Sequence, residues 1–320
     1  MHEKKNNLNS ILTCIYKMEN QTKITFKDSL KSWDTENWLD RYFYRPIAFK
    51  IALLLKPTRV TPNAVTIFSI FVGVAACLLF FPDQNLLINL VGFALLVFAN
   101  TLDCVDGQLA RMTGKGSQIG RILDGMTGDI WFFTFYLVMS FRFIESHEGW
   151  GLWFFGITVL SALSHLYQAG MVDYYKTLHL HFLKGGKDSE FEDTSSIDAK
   201  FKAMTWKKDG ISKLFLKLYY YYTMNQELFT PQLKRYINKL NEIYPAGYPQ
   251  DLNDSYREKS LKLMPALDAM TFNARSVVIL LSLVLNISWL YFAVEILVMN
   301  PLLYMTMFRH EKMCKTLNNQ

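Results

Sequence analysis

The sequence predicts an all-α, polytopic integral membrane protein: six transmembrane helices, an N-terminal interfacial amphipathic helix and a mostly helical cytoplasmic insertion. Three observations carry that prediction. The composition is 51% hydrophobic and only 19% charged, where a soluble domain carries nearer a quarter charged residues. Apolar stretches of about 20 residues recur, the length that crosses roughly 30 Å of hydrocarbon at 1.5 Å per residue. Lysine and arginine are concentrated in one alternating set of connections, as the positive-inside rule requires of cytoplasmic loops.

Taken in order, residues 1–31 are expected to form a polar cytoplasmic lead. No cleavable signal peptide is expected, because MHEKKNNLNS is polar and the first apolar run comes far later. Residues 32–62 are expected to hold the interfacial helix. Trp33, Trp38, Leu39, Tyr42, Phe43, Ile47 and Phe49 are interleaved with Asp40, Arg41, Arg45 and Lys50, a mixture suited to the headgroup layer. Pro57 and Pro62 interrupt it, and Thr61-Pro62 offers an N-cap followed by proline at N1 for the next helix. Residues 63–172 would contain four spans near 63–82, 87–110, 121–143 and 150–172, and residues 271–310 two more near 271–288 and 290–308, divided by a tight turn at 286–289.

The orientation follows from Arg41, Arg45, Lys50, Lys56 and Arg59 before span one, and from Arg111, Lys115 and Arg121 after span two. The insertion (173–270) and the tail (311–320) are also rich in lysine and arginine, whereas 82–85 has none and 140–149 has only Arg142. Both termini and the insertion are therefore expected on the cytoplasmic side. Within the insertion, 185–196 looks like loop, while 211–222 and 228–244 read as amphipathic helix. His179 and His181, without a carboxylate or thiol set nearby, read as surface residues. The net charge of +6 is spread over the non-membrane segments, which suits an anionic lipid surface and not nucleic acid. Four scattered cysteines indicate neither a disulfide framework nor a zinc site.

The functional centre is predicted at 103–129. Asp103 and Asp106 are i,i+3 on one helix and share a face. Gly107 and Ala110 continue that side with almost no side chain, leaving room for a ligand to approach the backbone, and Asn100 extends the polar stripe one turn back. Asp124 opens the next helix, beyond a loop with Gly114, Gly116 and Gly120. Carboxylates on opposing helices at one depth make an oxygen-rich site for Mg²⁺ or Mn²⁺. Acidic residues are expensive beside hydrocarbon, so such a cluster marks function.

The pattern Asp-x2-Asp-Gly-x2-Ala-Arg-x8-Gly-x3-Asp resembles the signature of the CDP-alcohol phosphotransferase family, matched by Asp103, Asp106, Gly107, Ala110, Arg111, Gly120 and Asp124. The resemblance implies an intramembrane enzyme, usually homodimeric, with a two-metal site, that displaces CMP from a CDP-linked donor with an alcohol hydroxyl. It implies metal ligation by Asp103, Asp106 and Asp124. It further implies CDP binding by Gly107 and Ala110, which make space for the cytidine, with Arg111, Gly120 and Asn63. The family's fourth aspartate, a metal ligand and the general base, falls at Gly128, and Asp129 is the next residue. On an ideal helix Asp124 and Asp129 point about 140° apart. Either a local bulge, eased by Gly125 and Gly128, turns Asp129 into the site, or the base is different.

On the acceptor side, Asn273 and Arg275 open span five, where the arginine either clamps an acceptor phosphate or snorkels to headgroups. His165 and Gln168 read as inter-helix hydrogen-bonding residues, and Asn300-Pro301 as a kink. The function expected is phosphatidyl transfer from CDP-diacylglycerol to an alcohol such as an inositol, its phosphate or glycerol phosphate, in phospholipid biosynthesis. The competing readings are transfer of a soluble CDP-activated headgroup, a divalent-cation transporter, and a catalytically inactive nucleotide- or lipid-binding relative.

Overall fold

Helices account for nearly all of the regular structure, and their ends follow the local chemistry. The computed structural model describes residues 25–81, 85–116, 118–147, 149–186 and 191–319, and these contain helices and connections with no strand. The first long element begins at Trp38, passes through a π-helical turn Asp40–Tyr44 and continues as α1 (Arg45–Leu55), ending just ahead of Pro57. Residues 32–37, expected to be helical, are turns instead. Next comes α2 (Pro62–Leu78). The Ala64 amide donates to Thr61 Oγ1 at 3.3 Å, so the predicted cap and N1 proline both form.

Then follow α3 (Leu86–Thr113), α4 (Gln118–Ser146), α5 (Gly151–Leu183), α6 (Thr194–Ala203), α7 (Trp206–Leu228), α8 (Pro231–Ile243), α9 (Gln250–Leu261), α10 (Met264–Asp268) and α11 (Phe272–Val284). The last helix runs Leu290–Asn318, as α12 (Leu290–Val294), a π-helical turn Glu295–Met299 and α13 (Asn300–Asn318). That π turn absorbs the carbonyl displaced by Pro301, a residue that cannot donate to the ladder. Asn286, at φ 55, makes the tight turn expected between the last two helices.

Among the described residues, two helices are long and apolar enough to cross a membrane, Leu86–Thr113 and Leu290–Asn318, while Pro62–Leu78 and Phe272–Val284 are apolar but shorter. The 13 residues of α11 reach only about 20 Å along the axis. The boundary expected at 172/173 falls inside α5, which continues unbroken to Leu183. The loop expected over 185–196 ends at Asp193, whose side chain caps α6 by accepting from the Ser196 amide at 2.8 Å.

By contact density the chain divides into two units, Met1–Ala76 with Ala94–Trp131, and Cys77–Phe93 with Phe132–Gln320. In the first unit α2 and α4 approach closely at Gly73: a Cβ there would stand 2.2 Å from the indole Nε1 of Trp131, a side chain only 2% exposed. Gly73→Ala is therefore expected to destabilise the fold by about 1–3 kcal/mol, the usual cost of overpacking, read as a lowered Tm in detergent. An unchanged Tm would show that the ring has room to move.

The second unit has a large core in which α5, α8, α9, α10 and α13 meet. Phe182 stacks on Tyr256 with centroids 3.7 Å apart, and Tyr256 also packs near Tyr236. Glu311 accepts from the Gln232 and Leu233 amides at 2.7 and 3.2 Å, a carboxylate on the positive end of α8. Arg142 bridges Phe80 O, Asn89 Oδ1 and Asn286 Oδ1 at 2.7–3.0 Å.

His179 and His181, expected at the surface, are buried. His179 Nδ1 pairs with Ser260 Oγ at 2.8 Å, and His181 Nε2 with Tyr248 Oη at 3.3 Å. The apolar stretch continuing past residue 172 extends α5 into the core of the second unit, which the short-range pattern did not reveal.

Two buried histidines beyond the predicted span ends set a pH response. Burial pushes His181 down to about 4, against an opposing pull from Asp193. Burial also pushes His310 down to about 3; its Nε2 pairs with Tyr256 Oη at 2.9 Å. Both folded-state values lie below the ordinary histidine value near 6.5, so the unfolded chain binds more protons on acidification. Stability is thus fully present above about pH 6.5 and declines as pH falls toward about 4, by up to about 1.4 kcal/mol per pH unit for each group. Thermal unfolding in detergent from pH 7.5 to 4.5 should show a falling Tm; a flat or rising one would contradict these assignments.

Candidate functional site

The carboxylate cluster lies wholly in the first unit, on the last three turns of α3 and the first turns of α4. Asp103, Asp106 and Asp124 each present a ligand atom, and these atoms lie within 4.8 Å of one another. The three differ in exposure: Asp106 is 3% exposed, Asp103 is half-buried and Asp124 faces outward. Asp103 Oδ1 and Asp106 Oδ2 are buried and have no hydrogen-bond partner in the protein. A buried polar atom left unpaired costs about 1–3 kcal/mol, and more when charged. Two such oxygens aimed at a third carboxylate fit a hard divalent cation, which takes oxygen ligands and cancels the like charges.

A positively charged wall adjoins the cluster. Arg111 Nε donates to Ser29 O at 2.5 Å, and its Nη2 is buried without a partner. The guanidinium lies over Gly107, where a Cβ would come within 3.5 Å of both Nη atoms. Gln108 Nε2 donates to Ser29 Oγ at 3.1 Å and to Arg45 O at 3.3 Å. Arg45 Nε in turn donates to Glu36 at 2.9 Å. Sequence reasoning missed Ser29, Glu36, Arg45 and Gln108 as supports of the site, and treated 25–31 as loose lead. One signal was available: Gln108 is an uncharged polar residue inside a predicted span and needed a partner. Ala110, Gly120 and Asn63 are partly buried, with Ala110 on α3, Gly120 on α4 and Asn63 on α2.

Asp129 does not join the three carboxylates. Helix α4 is α-helical without interruption from Gln118 to Ser146, so the bulge entertained for Gly125 and Gly128 is absent and the separation of about 140° from Asp124 stands. A Cβ at Gly125 or at Gly128 would meet nothing within 4 Å, so neither glycine is there to admit a neighbouring side chain.

The two acceptor candidates are both buried. Arg275, in the second unit, is 1% exposed and its donors are consumed internally. It pairs with Glu295 and donates to Gln168 Oε1 at 2.6 Å, Met270 O at 3.0 Å and Tyr291 Oη at 3.3 Å. In this structure it is the centre of a buried ion pair and hydrogen-bond cluster. Asn273 is also buried, its carbonyl accepting from Ser276 Oγ at 2.8 Å. Gln168 makes the inter-helix bonds expected of it, donating to Asn300 Oδ1 at 2.7 Å, whereas the expected bond of His165 is not seen: its Nδ1 is buried without a partner and the ring packs on Phe132 at 4.1 Å between ring centroids.

Comparison with known proteins agrees with the cluster. The family model for CDP-alcohol phosphatidyltransferase matches residues 59–187, a stretch that contains every motif position from Asp103 to Asp129. Residues 59–187 are thus similar to a CDP-alcohol phosphatidyltransferase domain. The chain is also similar to the phosphatidylinositol phosphate synthase of Mycobacteroides abscessus, 36% identical over 86 residues, which cover 27% of this chain and 38% of that relative. The chain thus spans well under half the length of the curated relative it matches. The matched stretch starts just ahead of the Thr61-Pro62 cap and runs through α5 to the Gly185-Gly186 turn.

Proposed function

We propose that the protein is a membrane-embedded, metal-dependent phosphatidyltransferase of phospholipid biosynthesis. It transfers the phosphatidyl group of CDP-diacylglycerol to a polar alcohol and releases CMP. The observation that carries this reading is the meeting of Asp103, Asp106 and Asp124 within 4.8 Å, in register with the family motif and with two buried oxygens that no protein group satisfies. The mycobacterial relative is named for phosphatidylinositol phosphate, which favours an inositol phosphate over inositol or glycerol phosphate as acceptor. Six spans, both termini and the cluster on the cytoplasmic side, and a homodimer belong to the same proposal.

Asp103, Asp106 and Asp124 would hold Mg²⁺ or Mn²⁺. Such a cation supplies neutralisation of the donor diphosphate and of the charge developing at phosphorus. Arg111 turns its unpartnered Nη2 to the nucleotide phosphates, and its tie to Ser29 fixes the guanidinium so that little ordering cost is left for binding. Asp129, the next carboxylate along α4, takes the proton of the acceptor hydroxyl. The acceptor oxygen then bonds to the β-phosphorus, and the bond from that phosphorus to the CMP oxygen breaks. For Asp129 to do this, α4 must rotate locally or the acceptor must approach from the side that Asp129 faces.

Asp129→Asn is expected to lower turnover about 10²-fold or more while leaving CDP-donor binding nearly intact, the mark of a lost general base. Turnover equal to the wild type would remove Asp129 from the mechanism. The position of Asp129 outside the cluster also favours a second reading, a relative that binds nucleotide without turnover.

Incubation of purified protein with labelled CDP-diacylglycerol, CDP-inositol or CDP-ethanolamine and a panel of alcohols separates the readings. CMP release from CDP-diacylglycerol alone supports phosphatidyl transfer, and release from a CDP-headgroup supports the sister reaction. Tight CDP binding with no release supports the inactive relative, and ion flux without release would point to a transporter.

A further inference from the structure

Helix α7 (Trp206–Leu228) is inside out for a helix in water. Its buried face carries Lys213, Thr223, Gln226 and Glu227. Its exposed face carries Leu214, Phe215, Leu218, Tyr219, Tyr221, Tyr222, Met224 and Leu228, with Leu218 57% and Leu228 70% exposed. At 100° per residue the exposed apolar side chains sweep about 220° of the helix, far wider than the narrow seam of a helix pair. Of the inner face's polar side chains, Lys213, Gln226 and Glu227 find partners, while Thr223 Oγ1 is buried without one. Lys213 Nζ donates to Met204 O at 2.7 Å and sits over the Phe201 ring at 4.4 Å. Gln226 Nε2 donates to Gly170 O at 2.8 Å, and Glu227 accepts from Thr194 N and Oγ1 at 2.8 and 2.7 Å.

The charge on this helix is one-sided as well. Lys207, Lys208 and Lys217 are exposed, while of its two carboxylates Glu227 is buried and Asp209, half-buried, accepts from the Thr205 amide at 3.0 Å. Helix α7 also has a fixed height along α5. A Cβ at Gly170 would lie 2.5 Å from Tyr222 Oη, so the two helices touch there. The same groove is lined by Leu163 and Leu166 of α5, both exposed and both inside the stretch read above as a membrane span.

We propose that α7 is not part of a soluble insertion but lies in the plane of the membrane, its tyrosine and leucine face in the headgroup and upper acyl region of an anionic bilayer leaflet and its lysines on the lipid phosphates. Wide apolar faces that also carry lysine and are rich in amphipathic rings are what that layer accommodates. This rests on the membrane reading of the chain proposed above.

The test uses full-length protein in nanodiscs of phosphatidylcholine and phosphatidylglycerol containing a phosphatidylcholine with a photoreactive diazirine on its acyl chain, with labelled peptides mapped by mass spectrometry. Peptides covering 214–229 should label within about threefold of those from Leu86–Thr113 and about tenfold or more above those from Gln250–Leu261. Charge reversal at Lys207, Lys208 and Lys217 together should cut labelling of 214–229 about tenfold and leave Leu86–Thr113 unchanged. Labelling of Leu86–Thr113 without 214–229 overturns this proposal alone, as does zero-length cross-linking of α7 to α7 of a second copy. Absence of label at Leu86–Thr113 overturns the membrane reading itself.

Discussion

Asp106→Asn should reduce CMP release by about 10³-fold or more and abolish its response to Mg²⁺ or Mn²⁺, without unfolding the protein. The magnitude follows from the chemistry proposed: a metal supplies several kcal/mol of charge stabilisation, and each 1.4 kcal/mol is tenfold in rate. The mildness toward the fold follows from the structure. Asp106 is buried beside two like-charged carboxylates with Oδ2 unpaired, so replacing its charge by an amide removes a cost. A second readout does not depend on turnover. Saturating Mn²⁺ at about 100 times Kd should stabilise the wild type by about 2.7 kcal/mol and the variant by almost nothing. A variant that keeps its Mn²⁺ shift would place the cation elsewhere.

Arg275→Met is expected to be the most damaging single change to the fold. Arg275 and Glu295 are 1% and 0% exposed, and the guanidinium holds α11 to Gln168 of α5 and to Tyr291 of α12. Removing one partner strands a buried charge, at a cost of about 3–5 kcal/mol, whereas replacing both with apolar residues is often neutral. Arg275→Met should therefore lose most folded yield in detergent, and Arg275→Met with Glu295→Met should recover much of it. If the single variant instead kept its Tm and raised only the acceptor KM, Arg275 would be an acceptor clamp after all.

The contrast between these residues shows where sequence reasoning reached. The motif at 103–124 was legible because two carboxylates at i,i+3 followed by small residues share a helix face whatever the tertiary fold, and the structure gathers Asp103, Asp106 and Asp124 accordingly. Thr61-Pro62 and the Asn286 turn were legible for the same local reason.

What was not legible depends on distant parts of the chain. Ser29 reaches Gln108 and Arg111 across 79 and 82 residues. The burial of His179 and His181 depends on α9 and Tyr248. Glu295 was a missed local signal: a carboxylate inside a predicted span needs a partner, and Arg275 was the cation it found. Asp129 differs again, because its offset from Gly128 is plain in the sequence, and the unbroken helix α4 maintains that offset without a bulge to absorb it.

The central claim is that the three carboxylates carry metal-dependent CMP release. The most direct measurement follows CMP released from CDP-diacylglycerol and an inositol phosphate by the purified wild-type protein, with Mg²⁺ or Mn²⁺ and then with excess EDTA. The account predicts release that stops on chelation and returns when the cation is restored. CMP release that is indifferent to EDTA would contradict it.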